Sequence, residues 1–264
     1  MRLGDQGQDV RDWQLALSAR GHAVTVDGVF GKQTHNATLA WQAAQGLVPT
    51  GAVGTAELQV IAAPSSASIR PPPTLPHSIP FVESRHYNRA PRALVDLIVL
   101  HCMEAAESAT TAERCALYMA TLPADLPPSK KKSYHYGVDS DSVVQTVPDH
   151  CVAYGAPGAN HNGLHIELAG YARQSRAEWL DAFGTRMLWL AAQLCARKCA
   201  ERDIPVVYLP AAKLIGPRPR GITTHREVSL AYKKSDHTDP GPGFPIDWFL
   251  QQVELAMDSQ QANA

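Results

Sequence analysis

The chain has 264 residues, 45% of them hydrophobic and 19% charged, with a formal net charge of −1. That length accommodates one large domain or two unequal ones, and the composition is that of an ordinary globular protein. Near-neutral charge argues against a nucleic-acid-binding protein, which carries a basic excess or patch, whereas eleven histidines point toward imidazole chemistry, metal binding above all.

The first residues, MRLGDQGQDVRDWQ, are polar from position 4 onward and hold no apolar run of the kind a secretory signal needs. Nor is there a stretch approaching the ~20 apolar residues of a membrane span. Over residues 1–63 short helical patterns alternate with glycine turns. Val10, Trp13 and Leu17 make one apolar helical face, Thr34, Ala37, Thr38 and Trp41 a second, and Leu58 with Ile61 begins a third. Between them stand Val26-Asp27-Gly28-Val29-Phe30-Gly31 and Pro49-Thr50-Gly51-Ala52-Val53-Gly54. They read as two copies of one turn, with glycines where positive φ is inexpensive.

This segment resembles the three-helix peptidoglycan-binding module of many wall hydrolases. The matching residues are Leu3, Gly4, Gly7, Val10, Gln14 and Leu17, then Asp27-Gly28, Phe30-Gly31 and Thr34, then Trp41-Gln42, Gly46-Leu47, Gly51 and Val53-Gly54. The second turn departs from the family pattern, with Thr50 for the acidic residue and Glu57 for the threonine. The resemblance implies an all-α module whose partner is bacterial peptidoglycan.

Residues 64–88, rich in Pro and Ser, lack periodicity and read as a semi-rigid linker. From residue 89 to 264 the pattern changes to strands alternating with helices. Leu94–His101 is an apolar, β-branched run and a buried strand. His135–Asp139 and Ser142–Val147 read as strands joined at Ser140-Asp141, and Leu164–Leu168 as another. Trp179–Arg202 is the longest helical candidate, with a core-facing stripe of Leu180, Phe183, Met187, Leu190, Leu194 and Cys195. The expected fold is an α/β domain, a mixed central sheet flanked by helices, preceded by the small all-α module. The five cysteines match no zinc-ribbon spacing and read as reduced thiols.

His101 closes the first apolar strand, and His225 follows Gly221-Ile222-Thr223-Thr224. Taken singly, each is as readily a hydrogen-bonded structural residue as a ligand. Ser235-Asp236-His237-Thr238-Asp239-Pro240-Gly241 is dense in potential ligands. Two histidines and a carboxylate suit a catalytic zinc, which keeps one position open.

With their flanks, these residues resemble the N-acetylmuramoyl-L-alanine amidase family, which includes phage lysins and is related to peptidoglycan recognition proteins. The matching blocks occur in family order: Leu97–His101, Ser133–Asp139, Val152-Ala153-Tyr154, Gly163–Leu168, Thr224–Glu227 and Asp239-Pro240-Gly241. The resemblance implies that His101, His225 and Asp239 hold Zn2+, that Glu167 is the general base, and that Tyr134 lines the site. An ordinary buried tyrosine and a surface glutamate are the alternatives for the last two. Many relatives carry a lysine where this chain has His237, which would then stabilise the oxyanion only as an imidazolium or an N–H donor. Activity should in that case fall as pH rises through its pKa. The other possibility is His237 as third ligand with Asp239 behind it.

Where many relatives have a Trp-His pair, this chain has Tyr154-Gly155, and Asn160-His161-Asn162 is expected to fill part of that space. His150, His161 and His165 read as solvated or structural, with substrate contact as the alternative. Lys130-Lys131-Lys132 reads as a solvated loop, with attraction of anionic wall polymer the weaker reading. The resemblance thus implies a zinc amidase acting on peptidoglycan as a monomer, with no nucleic-acid partner. Made in the cytoplasm without a signal, it would be an endolysin of a phage or prophage that reaches the wall on release. A non-catalytic recognition protein and a wall-recycling amidase are the rivals.

Overall fold

Apolar residues spaced three and four apart form the first two helices. Helix α1 (Gln8–Ser18) buries Val10, Trp13 and Leu17. Helix α2 (Lys32–Ala44) packs Ala37 and Trp41 against them, with Phe30 and Val53 closing the cluster. The Trp13 and Trp41 rings meet edge-to-face at 5.1 Å, and Trp13 Nε1 donates to the Thr38 hydroxyl at 2.9 Å. This computed structural model describes residues 1–18, 20, 22, 24–44, 47–55, 57–58, 73–92 and 94–261. Ile61 and most of the expected third helix, like residues 64–72 of the expected linker, lie outside them. The chain divides into two compact units, residues 1–72 with 176–185 and residues 73–175 with 186–264.

The repeated turn of the first unit is organised by two buried glutamines. Gln14 accepts from the Gly28 N–H at 2.8 Å, and its amide nitrogen lies 2.9 Å from Asp27 Oδ1 and 2.9 Å from the Thr34 hydroxyl. Gln42 repeats this one turn later. It accepts from the Gly51 N–H at 2.8 Å, and its nitrogen lies 3.1 Å from the Thr50 hydroxyl and 3.0 Å from Glu57 Oε1. Gly28 and Gly51 both take positive φ, at 77° and 68°. The substitutions Thr50 and Glu57 therefore exchange the positions of acid and hydroxyl while leaving the amide its partners.

In the second unit five strands take the order β3-β2-β4-β1-β5. They are β1 (Leu97–Cys102), β2 (Tyr136–Val138), β3 (Val143–Gln145), β4 (Gly163–Leu168) and β5 (Gly221–Thr224). Only β3 runs antiparallel to its neighbour. All six residues of β1 are buried, as an apolar run in the middle of a parallel sheet should be. Residues 80–84 run beside β3, with Val82 N–H donating to the Gln145 carbonyl and Ser84 N–H to that of Thr146, both at 2.9 Å.

Helices α3 (Thr111–Thr121) and α5 (His225–Tyr232) cover one face of this sheet. Ala112 and Ala116 of α3 pack on Val144, and Val228 of α5 packs on Leu97 and Val99. Helix α4 spans Ala182–Arg202, and α6 spans Ile246–Gln261. On α4 Lys198 reaches Asp149 at 2.9 Å, and Asp149 in turn accepts from the Tyr136 hydroxyl of β2 at 2.6 Å. The sequence pattern ran the helix from Trp179, but Arg176–Trp179 is a separate turn. Asp181 ends that turn and starts α4 by accepting from the Gly184 N–H at 2.7 Å, as N-cap residues do.

Candidate metal centre

Parallel strands bring their carboxyl ends to one edge, where α/β folds keep their ligand sites. The register does this here. His101 pairs with Glu167, so the two side chains stand in one row on the same face. Leu100 pairs with Thr224, which puts His225, the next residue, beside His101. Glu167 pairs on its other side with Gly137. That missing side chain leaves room for Tyr134, because a Cβ at Gly137 would lie 3.3 Å from the Tyr134 hydroxyl.

Asp239 arrives from a loop pinned to the same place. Its carbonyl accepts from the Arg226 N–H at 3.0 Å, and the Gly241 N–H closes the turn onto the Thr238 carbonyl at 2.9 Å. Its carboxylate lies 3.1 Å from His101 Nδ1 and 3.1 Å from His225 Nδ1. Burial opposes the charge on Asp239, yet the two imidazoles overcome this and hold its carboxyl well below the usual range. Burial lowers the pKa of His225, which favours the neutral ring a metal requires. Ser235 Oγ sits 3.5 Å from His225 Nε2, on the side away from Asp239.

One nitrogen or oxygen from each of His101, His225 and Asp239 lies within 4.8 Å of the others, and all three residues are buried. Two imidazoles and a carboxylate form the donor set of a catalytic zinc, so the residues fit that ion. His237 is mostly exposed, its ring stacked on His225 at 4.2 Å and its Nδ1 3.4 Å from Asp239 Oδ1. It stands at the rim of the group.

Two further groups face the same space. Glu167 Oε1 is 4.0 Å from His101 Nδ1, and its Oε2 is buried with no hydrogen-bond partner. Burial, with the nearby Asp239 charge, pushes the Glu167 carboxyl well up, against the pull of Lys132. A bound dication would draw it back down. Tyr134 is fully buried with its hydroxyl also unpartnered, and burial raises its pKa well above the phenol range, so it remains a neutral donor. Unpaired buried polar atoms are costly in a fold and point to a partner that arrives with a ligand.

All six residues singled out in the sequence line one cleft of about 970 Å³. Lys130, Lys131 and Lys132 line it too; Lys130 and Lys132 are exposed, as a solvated loop requires, and the run also forms a cationic wall of the cleft. His135 is turned away, accepting from the His165 N–H at 3.0 Å. His165 read in the sequence as solvated or structural, with nothing linking it to His101, and it is not solvated. It is completely buried, and its Nδ1 lies 2.9 Å from His101 Nε2. The space beside Tyr154 is filled by this ring. A Cβ on Gly155 would come within 2.7 Å of His165, while Asn160 serves to hold the Gly155 and Ala156 N–H groups. The departure at Gly155 was the one available signal.

The five cysteines are free thiols. Among the described residues no helix is long and apolar enough to cross a membrane.

The chain has no match among curated protein sequences. Among solved structures it is similar to the Staphylococcus aureus hydrolase AmiA in complex with its ligand. The identity is 17%, the TM-score 0.52, and the match covers 72% of this chain and 87% of that one. A selenomethionine derivative of AmpD matches at 19% identity and a TM-score of 0.46, over 69% of this chain and 95% of that one. An endolysin of the Burkholderia phage AP3 is 38% identical over 24% of each chain, with a TM-score of 0.24. The likeness to AmiA is one of fold. The peptidoglycan-binding domain model matches residues 6–61, over the module built on Gln14 and Gln42. The N-acetylmuramoyl-L-alanine amidase model matches residues 90–242, more than half of the chain, and this chain belongs to that family.

Proposed function

We propose that the protein is a zinc-dependent amidase that hydrolyses the amide between the lactyl group of N-acetylmuramic acid and L-alanine, with His101, His225 and Asp239 holding the metal. The observation that carries this reading is the buried meeting of those three side chains in a cleft with two unpartnered polar atoms, Glu167 Oε2 and Tyr134 Oη. When bound, zinc supplies Lewis acidity toward the scissile carbonyl and the attacking water.

The protein's own groups do the rest. Glu167 accepts a proton from the attacking water and returns it to the leaving amine, a role that suits a carboxyl whose proton affinity burial has raised. The Tyr134 hydroxyl donates to the carbonyl oxygen as negative charge builds there. His237, at the mouth, donates to the same oxygen from the solvent side. The lysines of residues 130–132 attract the anionic stem peptide and wall polymer.

Residues 1–63 anchor the enzyme to peptidoglycan, residues 64–88 link, their stretch 80–84 already running beside β3, and residues 89–264 cut. The joining of a wall-binding module to an amidase supports an endolysin, because a recycling enzyme meets soluble fragments and needs no anchor. The test is digestion of purified sacculi followed by mass spectrometry, with elemental analysis for zinc. Stem peptides bearing a new L-alanine amine, lost on chelation and restored by zinc, are expected. New reducing ends alone, or full activity without zinc, would overturn the reading. An endolysin should also prefer sacculi to soluble muropeptides, and the reverse preference would mark a recycling enzyme.

A further inference from the structure

His165 is a second-row residue of β4 that the proposed chemistry does not use. It pairs in register with Val99, one pleat below the row that holds His101 and Glu167, and on the same face. Its ring therefore stands directly beneath His101, with His165 Nδ1 2.9 Å from His101 Nε2. The fold makes room for it, since Gly155 is the only residue type that leaves space there. An added Cβ would lie 2.7 Å from both Cγ and Nδ1 of the ring.

The placement is poor if its only purpose is packing. The ring is completely buried, its Nε2 has no hydrogen-bond partner, and an aliphatic side chain would fill the space without leaving a polar atom stranded. What the imidazole alone offers is Nδ1. For His101 to present a bare Nδ1 to a metal, its proton must sit on Nε2, and that buried N–H needs an acceptor. His165 Nδ1 is the atom within reach.

Resting on the zinc reading above, we infer that His165 is a positioning residue that fixes the tautomer and ring orientation of His101 for metal binding, with Gly155 as the space that admits it. The required state has His101 protonated on Nε2 and His165 protonated on its own Nε2, with His165 Nδ1 accepting.

The test compares zinc affinity, by competition with a chromophoric chelator, in the full-length wild type and in His165→Leu, His165→Asn and Gly155→Ala. Leucine keeps the volume without the acceptor and should weaken zinc binding by about 10- to 100-fold. Its metal-free melting temperature should equal or exceed that of the wild type. Asparagine puts Oδ1 where Nδ1 was and should restore most of the affinity. Gly155→Ala should weaken binding in the wild-type background and change nothing in a His165→Ala background, which keeps the test open should the leucine variant not fold. Long-range 1H–15N spectra of the zinc-loaded wild type should show both rings protonated on Nε2. Zinc bound equally by wild type and His165→Leu, or a His165 ring protonated on Nδ1 when zinc is loaded, would overturn the role of His165 alone. A wild type that takes up no zinc would overturn the metal reading and this one with it.

Discussion

Glu167 shares a short stretch of β4 with a histidine that never reaches the cleft, and the two separate cleanly by function. A Glu167→Gln variant keeps shape and volume but cannot take a proton. Its turnover should fall by about 10²- to 10⁴-fold with zinc stoichiometry unchanged, measured as kcat on a muropeptide alongside elemental analysis. Loss of zinc in that variant would make Glu167 a ligand instead. The neighbouring question, which of Asp239 and His237 belongs to the metal, has an equally direct answer. Asp239 is buried between both ring nitrogens, whereas His237 touches only the outer side of the group. Asp239→Ala should abolish stoichiometric zinc, and His237→Ala should retain it while slowing turnover. The opposite pattern would exchange their assignments. These residues were legible in the sequence only through the ordered family blocks around them, since taken singly each was as readily structural as functional. His165 was not legible, because nothing within a few positions of it shows that it meets a residue 64 places away.

At the scale of elements, one side chain ties two of them together. Asp139 ends β2, and its Oδ1 accepts from the Ser142 N–H and hydroxyl, each at 3.0 Å, which closes the turn into β3. Its other oxygen accepts from the Ala112 N–H at 3.0 Å, at the start of α3, where Thr110 provides no side-chain cap. Asp139→Ala removes the cap and strands buried donors, so it should cost about 1–3 kcal/mol and lower Tm by several degrees. A thermal melt unchanged from wild type would show that the link is dispensable. Helix α3 itself left no trace in the sequence pattern. It buries Thr111, Ala112 and Ala116 while exposing Leu117 and Tyr118, so its apolar stripe is made of small residues and its large ones face outward. Strands β1, β2, β3 and β4 were legible because burial forces a continuous or alternating apolar run. Strand β5, Gly221–Thr224, has Ile222 as its one apolar side chain and is too polar to stand out.

For the molecule as a whole, buried neutral imidazoles set an acid limit. Burial, reinforced by the Arg92 guanidinium, pushes the pKa of His135 down to about 3. Above the unfolded value of about 6.5 the ring is neutral in both states, and stability is independent of its titration. As pH falls below that value, the unfolded chain takes up a proton that the native ring refuses. Stability contributed by the neutral ring is therefore lost progressively between about pH 6.5 and 3. Melting curves of the metal-free protein, which exclude effects of zinc release, should show Tm falling over this range. His135→Gln should flatten part of the slope, and an unchanged slope would remove His135 as its source.

The sequence by itself determined the helical faces of the binding module, most of the sheet, the family, and six of the residues that line the cleft. These follow from local periodicity, which records which face of an element is buried, and from short ordered motifs that survive without knowledge of folding. Only the tertiary structure decided that Gln14 and Gln42 organise equivalent turns, that three lysines wall the cleft, and that His165 lies under His101. Those facts depend on the register of parallel strands and on where loops land. Register is fixed by long crossovers and side-chain packing between distant segments, and local patterning carries no record of it.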